Sequence, residues 1–212
     1  MRADYEENAV TIHLYQGDLP DGLDLGPEVA IDCETMGLNP HRDRLCLVQM
    51  SNGDGNAHLV QIAQGQTEAP NLTRMLADPA VLKLFHFGRF DIAVMQHTFG
   101  VQAAPVYCTK IASKLVRTYT DRHGLKNLLQ ELLEVDISKQ QQSSDWGAPE
   151  LSKAQQAYAA SDVLYLHRLR DVLNTRLERE GRMALAEAAF AFLPIRAELD
   201  IRGWPETDIF SH

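Results

Sequence analysis

The stretch VAIDCETMGLNP, residues 29–40, ends an apolar run with two acids one residue apart. In a β-strand alternate side chains share a face, so Asp32 and Glu34 would project from the same side of the strand. Two carboxylates held this close repel each other, unless water screens them on an open strand end or a cation lies between them. The stretch alone leaves both interpretations open, and other acids must decide between them.

The runs around this stretch indicate the fold class. Short apolar or alternating segments separated by turn residues predict an antiparallel meander over residues 9–15, 28–34, 44–50 and 57–62. Beyond them the pattern predicts a helix at 71–78, a strand at 81–87, a helix at 89–99, a strand at 105–107, and helices at 109–118 and 124–134. This order predicts an α/β fold, with a mixed sheet flanked by helices.

The last third of the chain is predicted to be a loop, a long helix and an arm. SKQQQSSDWGAPE, residues 138–150, is polar and predicts a long loop of the kind that is often functional. Ser152 and Gln155 have the spacing of a capping box, which predicts a helix reaching about residue 182. We divide the chain into a domain at 1–194 and a C-terminal arm at 195–212, whose apolar residues are expected in an oligomer interface, or else folded back on their own domain.

Composition limits the function classes. The chain has 212 residues, 45% of them hydrophobic, which suits one globular domain. Without an apolar run of about 20 residues or a signal-like start, a cytoplasmic protein that does not enter a membrane is expected. The three cysteines lack metal-ligand spacing and are expected to be reduced core thiols. A net charge of −9 argues against binding of long nucleic acid, but not of a short strand.

Two more acids complete a set of four. Asp91 begins a predicted helix, where the helix dipole alone could explain it. Asp162 lies among apolar residues, one helical turn after Tyr158, although an exposed position would also explain it. Taken with Asp32 and Glu34, these carboxylates are oxygen ligands of the kind that Mg²⁺ or Mn²⁺ prefers. Two such ions about 4 Å apart promote phosphodiester cleavage, so the set predicts a two-ion hydrolase.

The same residues carry a resemblance to a known family. The order DCE (32–34), FHFGRFD (85–91) and YAASD (158–162) resembles the DEDD-type 3′-5′ exonucleases, in the Tyr subclass of the ribonuclease D superfamily. The resemblance covers residues 28–180 and implies a ribonuclease H-like fold. It also implies a catalytic set in which the acids hold two metal ions and the tyrosine orients the attacking water: Asp32, Glu34, Asp91, Asp162 and Tyr158.

Several shorter segments resemble the nanoRNase C family. They are HRDRLCLVQ (41–49), CTKIASKL (108–115), YTDRHGLK (119–126), SKQQQSSDW (138–146) and DIFSH (208–212). This resemblance implies hydrolysis of short single-stranded RNA, especially dinucleotides such as pGpG, to nucleoside monophosphates. It further implies a homo-oligomer, with a ring-shaped octamer as one form.

Substrate contacts are less well specified by the sequence. Leu38 matches the leucine that wedges between two bases in the oligoribonuclease branch, although a plain turn or core residue remains the alternative. His86 ends the strand that leads toward the acids, so we expect it to contact the scissile phosphate or the 3′ ribose, with a buried core histidine as the alternative. Lys139, Arg117 and His123 are candidates for binding the 5′ phosphate.

Other functions remain to be distinguished. A DNA-directed 3′-5′ exonuclease would share every metal ligand, and broader RNA processing of the ribonuclease D type is a further alternative. A phosphatase with an aspartate nucleophile would need Asp at the position of Glu34. An RNA-binding module without activity would normally lack one of the five motif residues, all of which are present.

Overall fold

The computed structural model describes residues 10–212, so the predicted strand start at residue 9 lies outside the described residues. The strands are β1 (Thr11–Gln16), β2 (Glu28–Thr35), β3 (Leu45–Ser51), β4 (Asn56–Gln61), β5 (Leu82–Phe85) and β6 (Val106–Cys108). The helices are α1 (Pro70–Ala77), α2 (Arg89–Phe99), α3 (Thr109–Val116), α4 (Leu125–Leu133), α5 (Lys153–Val163), α6 (Leu166–Arg179) and α7 (Met183–Ile201). The predicted α/β fold class is confirmed.

Within residues 10–212, the six strands form one mixed sheet in the order β1-β4-β3-β2-β5-β6. The predicted antiparallel meander is correct for β2, β3 and β4 but wrong for β1, which pairs in parallel with β4 at the far edge. Asp18, just after β1, accepts hydrogen bonds from the backbone N–H groups of Asn71 and Leu72 in the first turn of α1. The chain leaving β1 is thus held at α1, and it reaches β2 on the other side of β3 and β4.

The predicted helix from Ser152 to about residue 182 is two helices. Its start is confirmed, because Ser152 and Gln155 form the reciprocal hydrogen bonds of a capping box. The helical run is interrupted at residues 164–165, between α5 and α6. Since α5 packs on β2, β3 and β4 while α6 packs on α3 and α4, the interruption lets each half bury its apolar side against a different layer.

The predicted C-terminal arm begins later than residue 195. Helix α7 continues through Pro194 to Ile201, so the first seven residues of the predicted arm are helical. The rest folds against its own chain, because the Arg89 and Arg196 side chains both donate to the Pro205 carbonyl oxygen. The side chains of Trp204, Ile209 and Phe210 nevertheless stay exposed.

Two predictions from composition can be compared with the structure. Cys33, Cys46 and Cys108 are free and buried, as predicted for core thiols. Between residues 10 and 212, no helix combines the length and the apolar character needed to cross a membrane.

Candidate active site

Three acids converge at the end of β2. Asp32 and Glu34 project from one face of the strand, and Asp162 reaches them from α5. One carboxylate oxygen from each of Asp32, Glu34 and Asp162 lies within 4.8 Å of the other two. Asp162 is distant in sequence from Asp32 and Glu34, but it lies close to them because α5 packs directly on β2 and β3.

Asp91 is buried beside this group, in the first turn of α2. The turn that leads into α2 needs glycine at position 88, because a Cβ there would lie 2.5 Å from the Cβ of Phe85. The backbone groups of Asp91 itself and of Cys33 lower the pKa of the Asp91 carboxyl, in the direction opposite to burial. It lies outside the 4.8 Å group of three, but its charge acts on Asp32 and Glu34.

The electrostatics of the four acids show how costly their charges are together. Burial, followed by the charges of the neighbouring acids, raises the pKa of Glu34 to about 9 and that of Asp32 well above its usual range. Burial is also the main cause that raises the pKa of Asp91 to about 8 and that of Asp162 to about 7. A divalent cation would oppose both effects, so this all-oxygen donor set fits Mg²⁺ or a similar hard ion.

Tyr158 lies one helical turn before Asp162 on α5, where its hydroxyl group lowers the pKa of the Asp162 carboxyl, in the direction opposite to burial. The Trp146 ring packs beside Tyr158, with 5.9 Å between the ring centroids. Burial, together with the nearby carboxylates, raises the pKa of Tyr158 above its usual value. The phenol therefore keeps its proton at neutral pH, which suits orientation of a water molecule and excludes the role of general base.

These residues line an open cleft of about 620 Å³. Leu38 stands at its rim with 85% of its surface exposed, so it is neither a core residue nor packed in the turn. Its position depends on the turn after β2: a Cβ on Gly37 would lie 2.3 Å from Asp43 Oδ2, and Asp43 accepts a hydrogen bond from the Asn39 backbone N–H. The structure thus presents an apolar side chain beside the acids.

His86 also lines the cleft, with part of its surface accessible. Its Nδ1 lies 2.9 Å from the Thr109 hydroxyl oxygen. Burial, helped by the charges of Lys110 and Lys139, lowers the pKa of His86 to about 3. The ring is therefore neutral at pH 7 and offers no positive charge to a phosphate.

Positive charge at the cleft comes from three lysines. Lys110 at the start of α3, Lys126 in α4 and Lys139 in the loop after α4 all line it. Of the three residues considered for the 5′ phosphate, Lys139 is therefore well placed, whereas Arg117 and His123 do not line the cleft. Lys126 also pairs with Asp136 at 2.9 Å, so part of this positive charge is already balanced.

Arg117 and His123 have structural partners instead. The fully buried Arg117 pairs with Glu131 and donates to the Arg122 carbonyl oxygen. His123 Nδ1 lies 2.8 Å from the Ser113 hydroxyl. The prediction that Arg117 binds the 5′ phosphate is wrong, because its side chain is buried in this ion pair and does not line the cleft. The two partners are 14 residues apart in sequence, so a local cluster of basic residues does not indicate the pair.

Two residues were not identified from the sequence: Phe87, which lines the cleft, and Gln49, which lies behind it beside Asp32. Phe87 is half-exposed, has a backbone φ of 69° and carries Lys110 Nζ 3.8 Å above its ring. Nothing in the sequence indicates that a phenylalanine here takes a left-handed backbone conformation. Gln49 is completely buried beside Asp32. In the sequence, its amide is the one polar side chain of the run LCLVQM (45–50), and this signal could have indicated a role for it.

The sequence of this chain is similar to those of known exonucleases over the region that contains these residues. A family model described as 3′-5′ exonuclease matches residues 18–178. Ribonuclease D of Gluconacetobacter diazotrophicus is 38% identical over 167 residues, which are 79% of this chain and 42% of that protein. The chain thus spans about two fifths of the length of this relative.

Solved structures give a closer likeness. Brucella melitensis NrnC bound to pGG is 61% identical, with a TM-score of 0.93 over 96% of this chain and 100% of that chain. The form of the same protein with bound Mg²⁺ is 61% identical, with a TM-score of 0.92 over 95% and 99% of the two chains. This likeness confirms the predicted ribonuclease H-like sheet flanked by helices.

Proposed function

Because the chain belongs to the DEDD-type 3′-5′ exonuclease family, we propose that it is a metal-dependent exoribonuclease that hydrolyses short oligoribonucleotides, especially dinucleotides, from the 3′ end. The observation that carries the proposal is the group of Asp32, Glu34 and Asp162, whose oxygen atoms approach within 4.8 Å of one another. Acids with such raised pKa values need a strong source of positive charge to be ionised together at neutral pH.

The proposed metal site consists of these three acids and Asp91, with Mg²⁺ or Mn²⁺ as the ion and two ions in each site. Two divalent ions in such a site lower the pKa of a water molecule and stabilise the leaving oxygen. Tyr158, held by Asp162 and backed by Trp146, orients the attacking water through its hydroxyl group. Asp91 is held beside the other acids because it is buried in the first turn of α2.

The cleft supports a short substrate. Leu38 extends from the rim as a side chain that can separate two bases, while Lys110, Lys126 and Lys139 supply positive charge for phosphate groups. The neutral His86 suits a hydrogen bond to the 3′ ribose better than a contact with the scissile phosphate. The structure of NrnC with pGG supports the same substrate class here, at 61% identity.

We further propose a homo-oligomer, with a ring-shaped octamer as the form implied by nanoRNase C. The segment after α7, residues 203–212, supports this assembly because it displays Trp204, Ile209 and Phe210 on the surface. Side chains of this kind are often buried between subunits. Contacts between the segment and its own α7, such as the 5.8 Å between the Phe192 and Phe210 rings, would fix its position in the protomer.

The substrate class can be tested with matched RNA and DNA oligonucleotides. RNAs of two to ten nucleotides and their deoxyribose counterparts are incubated with the protein in Mg²⁺ or in excess chelator, and the products are separated. The proposal predicts faster turnover of the ribodinucleotide than of longer RNAs or of the deoxyribodinucleotide, and none with chelator. Equal turnover of the ribo- and deoxyribo-dinucleotides would contradict a preference for RNA, and faster turnover of the deoxyribo-dinucleotide would favour the DNA-directed alternative.

A further inference from the structure

We propose that Gln49 is a positioning residue that fixes the carboxylate of Asp32 beside Glu34 for metal binding. The inference rests on the proposed function of that site. It concerns a side chain on β3, the strand beside the one that carries the two acids.

The register of the sheet places Gln49 directly opposite Asp32. Residues opposite each other in an antiparallel pair project from the same face, so the Gln49 side chain faces the acids. It is completely buried, and its neighbours Val48 and Met50 in the strand are buried apolar residues. An amide in this position can therefore contact the acid cluster but not bulk solvent.

The hydrogen bonds of this amide are one-sided. Gln49 Nε2 donates to Asp32 Oδ2 at 2.8 Å, whereas Gln49 Oε1 has no partner among the described residues. Leaving a buried carbonyl oxygen unpartnered destabilises the fold, so packing alone would favour an apolar residue here.

A neutral donor is suited to this position for an electrostatic reason. Lysine or arginine beside Asp32 would neutralise the carboxylate and repel a metal ion, whereas an amide restrains one oxygen and leaves the negative charge in place. Gln49 donates to Oδ2 of Asp32 and does not occupy Oδ1, so the amide leaves the second carboxylate oxygen to a cation. Hydrogen bonds to ligating carboxylates of this kind typically change metal affinity by about 10- to 100-fold when they are removed.

The test measures Mg²⁺ binding in the absence of RNA. Gln49→Met keeps the length of the side chain but removes its donor, and Gln49→Asn keeps an amide that is too short to reach Asp32. The matched control is Gln61→Met on β4, which removes a buried amide that donates to the Ala148 carbonyl oxygen and not to an acid. Calorimetric titration of each purified protein with MgCl₂ gives the dissociation constant, and thermal melts with chelator report the folded state.

The inference predicts that both Gln49 variants weaken Mg²⁺ binding by about tenfold or more, while Gln61→Met stays within twofold of wild type. At saturating Mg²⁺ the kcat of the Gln49 variants should approach the wild-type value, with KM for the dinucleotide unchanged. A folded Gln49 variant with wild-type Mg²⁺ affinity would overturn the role of Gln49 but would leave the proposed function of the site intact. If the wild-type protein binds no Mg²⁺, the proposed function of the site fails, and this inference fails with it.

Discussion

Replacing Glu34 with glutamine should stabilise the metal-free protein. β2 holds Glu34 in a half-buried position beside three other acids, and desolvation followed by the charges of Asp162 and Asp91 raises its pKa from the ordinary 4.5 to about 9. At pH 7.5 the folded protein therefore carries a protonated Glu34, whereas the unfolded chain carries a charged one. Glutamine resembles the protonated form in size and has no charge to gain on unfolding.

The size of this effect follows from the pKa difference. One pKa unit corresponds to about 1.36 kcal/mol, and pH 7.5 lies about three units above the unfolded value, which sets a ceiling of about 4 kcal/mol. Relaxation and water entry reduce this figure, so a gain of about 2–4 kcal/mol is expected, or roughly 4–16 °C in Tm for a chain of this length. Because the folded pKa is raised, the penalty in the wild type is absent below pH 4.5 and grows as the pH rises toward 9.

The assay is thermal unfolding of both proteins with chelator, at equal protomer concentration, at pH 5 and pH 7.5. Glu34→Gln should melt well above the wild type at pH 7.5, and the difference should be much smaller at pH 5. Glu187→Gln on the exposed side of α7 is the control and should change the stability by less than about 0.5 kcal/mol. A Glu34→Gln protein that melts below the wild type at pH 7.5 would refute the electrostatic account of the acid cluster.

Four other changes give separate tests. Alanine in place of any one of the four acids should abolish turnover at saturating Mg²⁺ while the circular dichroism spectrum stays native. The four acids are Asp32, Glu34, Asp91 and Asp162. Full turnover by any of these variants would contradict the ligand assignment. Tyr158→Phe should lower kcat by roughly 100-fold with little change in KM, because the hydroxyl acts on the water, and a wild-type rate would leave Tyr158 as a packing residue. His86→Ala should raise KM for the dinucleotide without unfolding the protein, and an unchanged KM would leave only a structural role. A chain ending at Arg202 should form smaller assemblies than the full chain in light scattering. A monomeric full chain would refute assembly. An oligomer that is unchanged after truncation would refute the role of residues 203–212.

The positions of the acids could be predicted because local geometry determines them. Strand alternation places Asp32 and Glu34 on one face, and a four-residue helical spacing places Tyr158 beside Asp162. Both spacings are confirmed in β2 and α5. The order of elements was likewise sufficient for the fold class, because strands that alternate with helices form a sheet covered by helices.

Features that depend on distant partners could not be predicted in this way. The alternation in β1 predicts a strand but does not reveal that its partner is β4. Helix α7 continues past Pro194 because its packing against α2 and β6 stabilises the helical conformation despite the missing backbone donor. Arg117 belongs to a buried ion pair with Glu131, which the neighbouring sequence does not indicate.

The central claim is tested most directly by the order in which products form from a 5′-labelled RNA of seven nucleotides. With Mg²⁺, the wild-type protein should shorten the labelled strand one nucleotide at a time from its 3′ end, down to the labelled mononucleotide. With excess chelator, or with the Glu34→Gln protein, the labelled strand should keep all seven nucleotides. Cleavage inside the strand, release of the label in the first step, or turnover that continues with chelator would contradict a metal-dependent 3′-5′ exoribonuclease.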